Sequence, residues 1–192
     1  MINYQKGLPD NLHTSISELL IEALGDKLIP ILGNGSKAKN LIESSINPDN
    51  CISAIENGKL IGFLAIQIDN KNFLEPQLKD FISIYGIAGI IKAFKLLIFE
   101  YSPDSGEIYV ECIAVLNSFR SKGIGRNLFK ELIKRAFDNN HRITLEVINS
   151  NKGAIHFYKT IGFKVIKNTK LWPFNKIAGW NFKEVIKMEK IL

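Results

Sequence analysis

Residues 113–126 read IAVLNSFRSKGIGR, an apolar run followed by a basic loop with two glycines. The apolar residues from 107 to 115 predict a strand, and those after Gly125 recur at the spacing of a helix. The first N–H groups of a helix have no partner within it, and the helix dipole adds partial positive charge there. Glycines let an anion approach such groups closely. The stretch therefore predicts a strand–loop–helix unit that binds a diphosphate.

Positive charge surrounds the two glycines of this loop. Arg120, Lys122 and Arg126 flank Gly123 and Gly125, which favours a doubly charged anion. The loop has neither the G-x-x-x-x-G-K-[ST] pattern of P-loops nor the G-x-G-x-x-G pattern of dinucleotide sites, and residues 33–37, GNGSK, fit neither pattern and predict a turn. A plain strand-to-helix turn is the alternative to a diphosphate site.

The elements around this unit predict one α/β domain with a mixed sheet over residues 1–192. Asn57-Gly58 between two apolar runs predicts a hairpin, because both positions of a type I′ turn need positive φ. The segment from Asn70 to Ser105, interrupted by Pro76 and Pro103, predicts a helical insertion. The predicted order is helix 15–25 ending at Gly25, helix 37–46, strands 51–56 and 59–69, insertion 70–105 with a helix over 81–99, strand 107–115, loop 117–125, helix 126–139 with Leu128, Leu132, Ile133, Ala136 and Phe137 inward, strand 142–149, helix 152–160, and strands 163–167 and 182–192.

The composition is that of a globular protein with a basic surface. Of 192 residues, 46% are hydrophobic, and 25 Lys and Arg against 19 Asp and Glu give a net charge of +6, which excludes disordered and collagen-like classes. Because the lysines are scattered, the charge favours an anionic ligand and not nucleic acid. Cys51 and Cys112 lie in apolar runs and are predicted to be core residues, not a disulfide framework.

The sequence has no pattern of a secretory signal, of a membrane-spanning helix or of a metal site. No apolar segment follows a basic start at the N-terminus, so we expect a cytoplasmic protein. The run from 81 to 99 contains Lys92 and Lys95, each costing about 2.5 to 3.5 kcal/mol to insert into a bilayer. We therefore expect a helix of a soluble domain and no membrane partner. No His, Cys or Asp cluster has metal-ligand spacing, so no metal is expected.

Two signatures in this chain resemble those of the GNAT superfamily of acetyl-CoA-dependent N-acetyltransferases. Residues 120–125, RSKGIG, resemble the R/Q-x-x-G-x-G/A signature. Downstream, residues 145–163 resemble the pattern L-E-V…N-x-x-A-x-x-x-Y-x-x-x-G-F, through Leu145, Glu146, Val147, Asn151, Ala154, Tyr158, Gly162 and Phe163. The resemblance spans 107–163 and implies a mixed, mostly antiparallel sheet flanked by helices. Its two central parallel strands, 107–115 and 142–149, would splay apart, and only the insertion lies outside the minimal pattern.

The resemblance also implies which residues hold acetyl-CoA as the cosubstrate. Backbone groups of Ile113 and Val115 would pair with the amides of the pantetheine arm, and Asn151 would contact the same arm. A backbone N–H near Val115 would stabilise the oxyanion. The diphosphate would be held by N–H groups from Lys122 through Arg126, in a loop that comprises Arg120, Lys122, Gly123, Ile124, Gly125 and Arg126.

The same resemblance implies the catalytic residues. Tyr158 would lie near the thioester sulfur, where a phenol with a pKa near 10 can protonate the departing thiolate. Two carboxylates are candidates for the base, acting through a water, or for binding a cationic substrate. Glu146 falls where ribosomal-protein alanine N-acetyltransferases keep a catalytic carboxylate, and Glu111 is expected on the same face of its strand as Ile113 and Val115. His156 is expected at the surface, because it faces away from Tyr158.

These implications predict direct transfer of an acetyl group to a primary amine of a small molecule or peptide, by a monomer or homodimer. The acceptor site is expected over the splayed strands, between the first two helices, the insertion and the aromatic loop from Trp172 to Trp180. A non-catalytic acyl-CoA sensor is the alternative from another class. A nucleic-acid binder ranks last, since no basic stripe is interleaved with aromatic residues.

Overall fold

The computed structural model describes residues 1–68, 71–97, 101–135 and 142–192. Its strands are β1 Ile2–Lys6, β2 Cys51–Glu56, β3 Lys59–Gln67, β4 Glu107–Val115, β5 Arg142–Ile148, β6 Lys164–Lys170 and β7 Glu184–Ile191. They form one sheet in the order β1-β2-β3-β4-β5-β7-β6. β4 and β5 pair in parallel, and the other neighbours pair antiparallel. The predicted mixed, mostly antiparallel sheet with a central parallel pair is confirmed.

Helices cover both faces of the sheet. They are α1 His13–Leu32, α2 Ser36–Ser45, α3 Leu78–Tyr85, α4 Ala88–Leu97, α5 Ile124–Arg135, α6 Lys152–Thr160 and α7 Phe174–Ala178. Along β3, Phe63 and Ala65 pack with α1 and α2, whereas Leu64 and Ile66 pack with α5 and α6. Since successive strand residues alternate sides, the two helix pairs lie on opposite faces. A third cluster joins the end of α1 to α2, α3, α4 and α7.

β4 and β5 separate halfway along their length. Their pairing runs from Glu107 opposite Arg142 to Val110 opposite Leu145. Both strands continue past this point without pairing with each other. The gap leaves backbone N–H and C=O groups on facing strand edges available to an extended ligand.

The separation begins at a β-bulge in β4. Ile66 of β3 pairs with Val110 and Ala65 pairs with Cys112, so Glu111 is an extra residue in the ladder. A bulge bends its strand and increases the local twist. The bulge therefore directs the second half of β4 away from β5.

A buried carboxylate holds the closed end of the gap together. Glu107 is only 2% exposed. Burial alone would raise the pKa of Glu107, but the hydrogen bonds and cations around it lower the pKa to about 2. These partners come from β5, β7 and the segment before β4: the hydroxyls of Thr144 and Tyr101, the Asp104 N–H at 3.1 Å, Arg142 at 3.2 Å and Lys187 at 3.5 Å. The cluster joins β4, β5 and β7 where they pair.

We expect the free energy of unfolding to fall as the pH drops from about 4.5 towards 2. The pKa of Glu107 is about 2 in the folded protein against an ordinary value of 4.5. A group whose pKa is lowered by folding stabilises the protein above its unfolded pKa, and this contribution is lost as the pH falls through the folded pKa. Urea unfolding of the wild type at stepped pH values measures the loss.

Glu107→Gln is the matched variant for this experiment. It should be less stable at neutral pH by about 3 kcal/mol, because it leaves Arg142 and Lys187 beside a neutral amide. Its stability should also depend less on pH over the same window. Parallel pH dependences in the two proteins would contradict the role given to Glu107.

Several sequence predictions are confirmed in detail. β2, β4 and α6 have the predicted bounds, β5 ends one residue earlier than predicted, and α2 begins and ends one residue earlier. Asn57 at φ 49° and Gly58 at φ 76° form the hairpin turn with two positive φ angles. Cys51 and Cys112 are buried free cysteines, as predicted.

The prediction that Gly25 ends the first helix is wrong. α1 continues through Gly25 and Pro30 to Leu32. Ile31 and Leu32 are buried in the third cluster, and this packing outweighs the poor intrinsic helix propensity of glycine and proline. The longer α1 brings a further two turns of helix over the sheet.

The predicted helix over 81–99 is two helices. α3 ends at Tyr85, and Gly86 adopts φ 64°, which turns the chain into α4. A Cβ at Gly89 would lie 2.2 Å from the Phe81 carbonyl oxygen. The two helices therefore cross closely, which only a glycine permits at this position.

Other differences concern short elements and ends. β1 and α7 were not predicted, and α5 begins at Ile124, two residues before the predicted start. The predictions for Asp69, Asn70, Phe99 and residues 136–139 fall outside the described residues. None of the helices in the described ranges is long and apolar enough to cross a bilayer.

Candidate active site

The loop between β4 and α5 presents a row of unpaired backbone N–H groups. The first hydrogen bond of the helix runs from the Asn127 N–H to the Gly123 carbonyl oxygen, at 3.0 Å. The N–H groups of residues 122–126 donate to no other residue that the structure describes. Ser121 and Gly123 have positive φ angles of 60° and 77°, and a Cβ at Gly123 would meet nothing within 4 Å. These five N–H groups, here called the cradle, can bind a diphosphate.

Arg120 connects the cradle loop to α1. Its Nε donates to the Val115 carbonyl oxygen at 3.1 Å, and its Nη2 lies 3.3 Å from the Glu22 carboxylate. Asn117 also donates to Glu22, at 2.9 Å. The Val115 carbonyl oxygen already accepts a hydrogen bond from Arg120. A ligand in the gap between β4 and β5 would therefore bond to the Val115 N–H.

The other two predicted cations lie at the rim of the loop. The Lys122 ammonium is 4.8 Å from the centre of the Phe119 ring. Arg126 is exposed and forms no ion pair with a residue in the described ranges. The direction of the backbone N–H groups is set by the start of α5.

A cleft of about 910 Å³ leads from the cradle into the gap between β4 and β5. α1 forms one side of the cleft, and the start of α6 forms another. Lys122 is not part of the wall. The cleft brings together the other predicted site residues: Glu111, Ile113, Val115, Arg120, Gly123, Ile124, Gly125, Arg126, Glu146, Asn151 and Tyr158.

Tyr158 is buried in α6 and lines this cleft. Its ring packs edge-on against Phe129, with centroids 6.2 Å apart, and tilted against Phe163 at 5.8 Å. Burial raises the pKa of the Tyr158 phenol well above its ordinary value, and the nearby Cys112 adds to this. The hydroxyl is protonated at neutral pH, as that of any tyrosine is. Its raised pKa makes it a weaker acid than the phenol with a pKa near 10 that was expected from the sequence.

Asn151 forms the N-cap of α6. Its Oδ1 accepts a hydrogen bond from the Ala154 N–H at 3.0 Å, which satisfies one of the free donors at the helix start. The cap fixes where α6 begins, and Tyr158 projects from the same helix two turns later. His156 is exposed, as expected.

The prediction that Glu111 lies on the same face of β4 as Ile113 and Val115 is wrong. Its Oε1 accepts the backbone N–H of Phe73 at 2.7 Å, within the cluster on the α1 side, whereas Ile113 packs on the α5 side. The bulge is the reason, because one extra residue changes the alternation of the strand. Burial raises the pKa of Glu111 to about 7, although hydrogen bonds from the backbone of Phe73 and Leu74 oppose the rise.

Glu146 shares the cleft with a lysine that the sequence did not predict. The Glu146 carboxylate is half-buried and accepts no hydrogen bond from the described part of the chain. Burial lowers the pKa of Lys27, while the negative charge of Glu146 raises it. Lys27 continues the buried stripe of Ile16 and Leu20. A lysine on an apolar stripe was a usable signal, but it lay beyond the predicted end of the helix.

A second cleft, of about 890 Å³, adjoins the first along α1. Ala23, Asp26, Ile148 and Ser150 line both. Its other walls come from α1 and residues 181–183, and they include the Glu22 carboxylate. The described residues of α2, α3 and α4 line neither cleft, nor do those from 171 to 180. Parts of these segments pack on the third cluster instead, and the position of the acceptor stays a prediction.

Within the described ranges, no three His, Cys, Asp or Glu side chains are grouped so as to hold a metal ion.

The chain has similarity to curated acetyltransferases over part of its length. It is 31% identical over 94 residues to the thialysine N-epsilon-acetyltransferase of Sus scrofa, covering 48% of this chain and 55% of that protein. The chain thus spans about half the length of the curated relatives it matches.

Solved structures share the fold over a larger part of the chain. The ribosomal-protein-S18-alanine N-acetyltransferase from Escherichia coli has a TM-score of 0.61 at 16% identity, covering 100% of this chain and 94% of that one. A Bacillus anthracis protein in complex with acetyl coenzyme A has a TM-score of 0.53 at 19% identity, covering 79% and 68%. The profile of the Acetyltransferase (GNAT) family matches residues 30–163, which contain the cradle and Tyr158. The chain belongs to the GNAT acetyltransferase family.

Proposed function

We propose that this protein transfers the acetyl group of acetyl-CoA directly to a primary amine. The observation that carries the proposal is the continuity of one cleft from the cradle to the gap where Tyr158 and Glu146 lie. Family membership supports the same chemistry. Acetyl-CoA, when bound, supplies an acetyl thioester activated for attack by an amine.

The residues present fit this cosubstrate. The cradle offers five N–H groups to a diphosphate, with open space at Gly123. A Cβ at Gly125 would lie 3.1 Å from the Phe157 ring, so this glycine lets α5 start close to α6. Ile113 and Val115 lie on the part of β4 that does not pair with β5. There the backbone groups of Ile113 and the N–H of Val115 can bond the amides of an extended arm.

Tyr158 would act as the general acid, and a backbone N–H of β4 would stabilise the oxyanion formed from the thioester. The Tyr158 hydroxyl lines the cleft and would give its proton to the departing thiolate sulfur. A backbone N–H near Val115 would stabilise negative charge on the thioester oxygen. Both Tyr158 and Val115 line the cleft, so each can donate a hydrogen bond or a proton to a thioester bound there.

Glu146 is the candidate that we favour for the base. Its carboxylate has no hydrogen-bond donor in the described chain, so it is free to accept a proton from the amine through a water. Glu111 is held by the backbone N–H of Phe73, which favours a structural role at the bulge. Its pKa of about 7 nevertheless suits a general base, so Glu111 is the alternative.

Glu146→Gln should lower kcat by at least about 100-fold, and Glu111→Gln by less than about tenfold. A base acts in its deprotonated form, so catalysis by Glu111 would make kcat/KM rise with pH through about 7. Profiles of kcat/KM against pH, measured for both variants with the same amine, separate the two. An acid limb near that pH that disappears in Glu111→Gln would reverse the assignment.

The second cleft supports a cationic acceptor. Glu22, Asp26 and Lys183 line it, and Glu22 is already paired with Arg120. A protonated amine would therefore be attracted to the Asp26 carboxylate before losing its proton near Glu146. This is compatible with a small-molecule amine or a peptide N-terminus, and a panel of both kinds of acceptor distinguishes them.

Thiol release with acetyl-CoA and that panel tests the proposed function. We expect release above hydrolysis with at least one amine, together with a mass increase of the acceptor. Calorimetric binding of acetyl-CoA without turnover on any amine would favour the alternative, an acyl-CoA sensor. Absence of binding would overturn both.

A further inference from the structure

α4 turns an apolar stripe towards solvent. Ile87, Ile90, Ile91, Phe94 and Leu97 are all at least 45% exposed, and Ile87 and Phe94 reach 85% and 73%. Their spacing of three and four residues places them on one face of the helix. Single exposed apolar side chains are ordinary, but a contiguous stripe indicates an interaction surface.

Contacts on the opposite side hold α4 in this orientation. The Lys92 ammonium donates to the Ile31 carbonyl oxygen at 2.5 Å and lies 4.9 Å from the centre of the Tyr85 ring. Gly89 fits directly against the backbone of Phe81. Ala93 and Leu96 pack on the third cluster on the same side, so the helix cannot rotate to bury its stripe without losing all of these contacts.

A second exposed apolar group is carried by α7 and the residue before its N-cap. Trp172 is 77% exposed, and Phe174 and Ile177 of α7 are about half-exposed. α4 and α7 pack their other sides on the same cluster, through Leu96 and Ala178 respectively. We call the α4 stripe together with Trp172 and Phe174 the apolar surface.

The segments that carry the apolar surface are strongly basic. Residues 78–97 and 170–183 contain six lysines, at 79, 92, 95, 170, 176 and 183, against the single acid Asp80. Lys92 is bonded on the inward side of α4 and Lys183 lines the second cleft, so the other four lysines carry the positive charge of this face. Two copies of this face brought together would place like charges opposite each other, which disfavours self-association. An anionic surface would instead be attracted to it.

We propose that the apolar surface docks the protein on the anionic lipid surface of a membrane. Ile91, Phe94 and Trp172 would enter the boundary between headgroups and acyl chains, with lysines at the headgroup level. Amphipathic helices that lie in this boundary combine large apolar side chains with flanking lysines, and tryptophan favours the same depth.

The docking differs from the expectation of no membrane partner. The cost of inserting Lys92 and Lys95 excludes a helix that spans the bilayer. In a helix lying in the interface, Lys95 can stay in contact with water and headgroups, while Lys92 remains bonded to the Ile31 carbonyl oxygen. The proposal does not depend on acetyl transfer, because no residue of the apolar surface lines the two clefts.

Sedimentation with vesicles tests the proposal on the full chain. One set contains phosphatidylcholine alone, and the other contains one part phosphatidylserine to two parts phosphatidylcholine. We expect at least about tenfold stronger binding to the anionic set, weakening as salt is raised. The double variant Ile91→Ser/Phe94→Ser should lose at least about tenfold of that binding. Both side chains are exposed, so this variant should keep its fold.

Two controls make the result specific. Val165→Ser/Ile166→Ser removes two exposed apolar side chains from β6 and should bind vesicles like the wild type. Trp180 is buried whereas Trp172 is exposed, so lipids with brominated acyl chains should quench the fluorescence of Trp172 and not that of a Trp172→Phe variant. Equal loss of binding in both double variants would overturn the proposal.

Light scattering after size-exclusion chromatography tests the alternative that a second copy of this chain covers the apolar surface. A dimer that dissociates in Ile91→Ser/Phe94→Ser, with no vesicle binding by the wild type, would show that a second copy covers the surface and would overturn the membrane assignment. A wild-type protein that neither dimerises nor binds either vesicle set would overturn it as well.

Discussion

Tyr158→Phe should lower kcat by about 100- to 10,000-fold, the usual contribution of a general acid. The phenyl ring keeps the packing against Phe129 and Phe163, so only the proton donor is lost. Stopped assays of thiol release measure the rate, and calorimetry measures the affinity for acetyl-CoA. We expect the affinity to change by less than about threefold, because the hydroxyl acts on the leaving sulfur and not on the diphosphate.

Tyr85→Phe is the matched control for this variant. The Tyr85 hydroxyl is buried without a hydrogen-bond partner in the described ranges, and Tyr85 lines neither cleft. Its removal should leave kcat unchanged. Weaker binding with unchanged kcat in Tyr158→Phe would mean that Tyr158 shapes the cleft and does not donate the proton.

Gly123→Asp should weaken acetyl-CoA binding by more than about 100-fold. The new side chain would enter the open space before α5 and carry negative charge to the position of the diphosphate. Losing two charge-assisted hydrogen bonds of about 1.5 to 3 kcal/mol each accounts for that factor. Calorimetry with acetyl-CoA and with CoA measures the loss, which should be similar for the two because the acetyl group lies at the other end.

Gly58→Asp separates this effect from backbone strain. Gly58 has φ 76° and Gly123 has φ 77°, and a Cβ at either position would meet nothing within 4 Å. Both variants therefore carry the same cost of a left-handed residue, and the β2–β3 turn lies outside the cleft. If Gly58→Asp reduced the affinity equally, the loss would be one of folding, and the cradle would not be the diphosphate site.

Much of the candidate site could be predicted because its signals are local. The cradle depends on glycines and a helix start within residues 120–126, and the local sequence is sufficient to predict such a turn. Tyr158 and Asn151 belong to one short helix whose bounds were predicted correctly. The hairpin at Asn57-Gly58 needed only two residues that tolerate positive φ.

The errors arise where packing between distant segments decides. α1 passes Gly25 and Pro30 because its last turn is buried against α3 and α7, and a sequence window does not contain those neighbours. For the same reason Lys27 was not predicted as a site residue, because it lies in the part of α1 beyond the predicted end at Gly25. The bulge at Glu111 depends on the register of β3 against β4, so no periodicity within β4 alone could place that carboxylate.

Local sequence was thus enough to predict the glycine loop before α5 and the bounds of α6, because each depends on neighbouring residues, whereas the parallel pair of strands was implied by the family resemblance. Which carboxylate is free in the cleft, which lysine faces it and which side of α4 is left to solvent were decided by contacts between segments far apart in sequence. Those contacts select one arrangement by burying the ends of α1 and the inner sides of α3, α4 and α7 together, and that selection is a property of the assembled core.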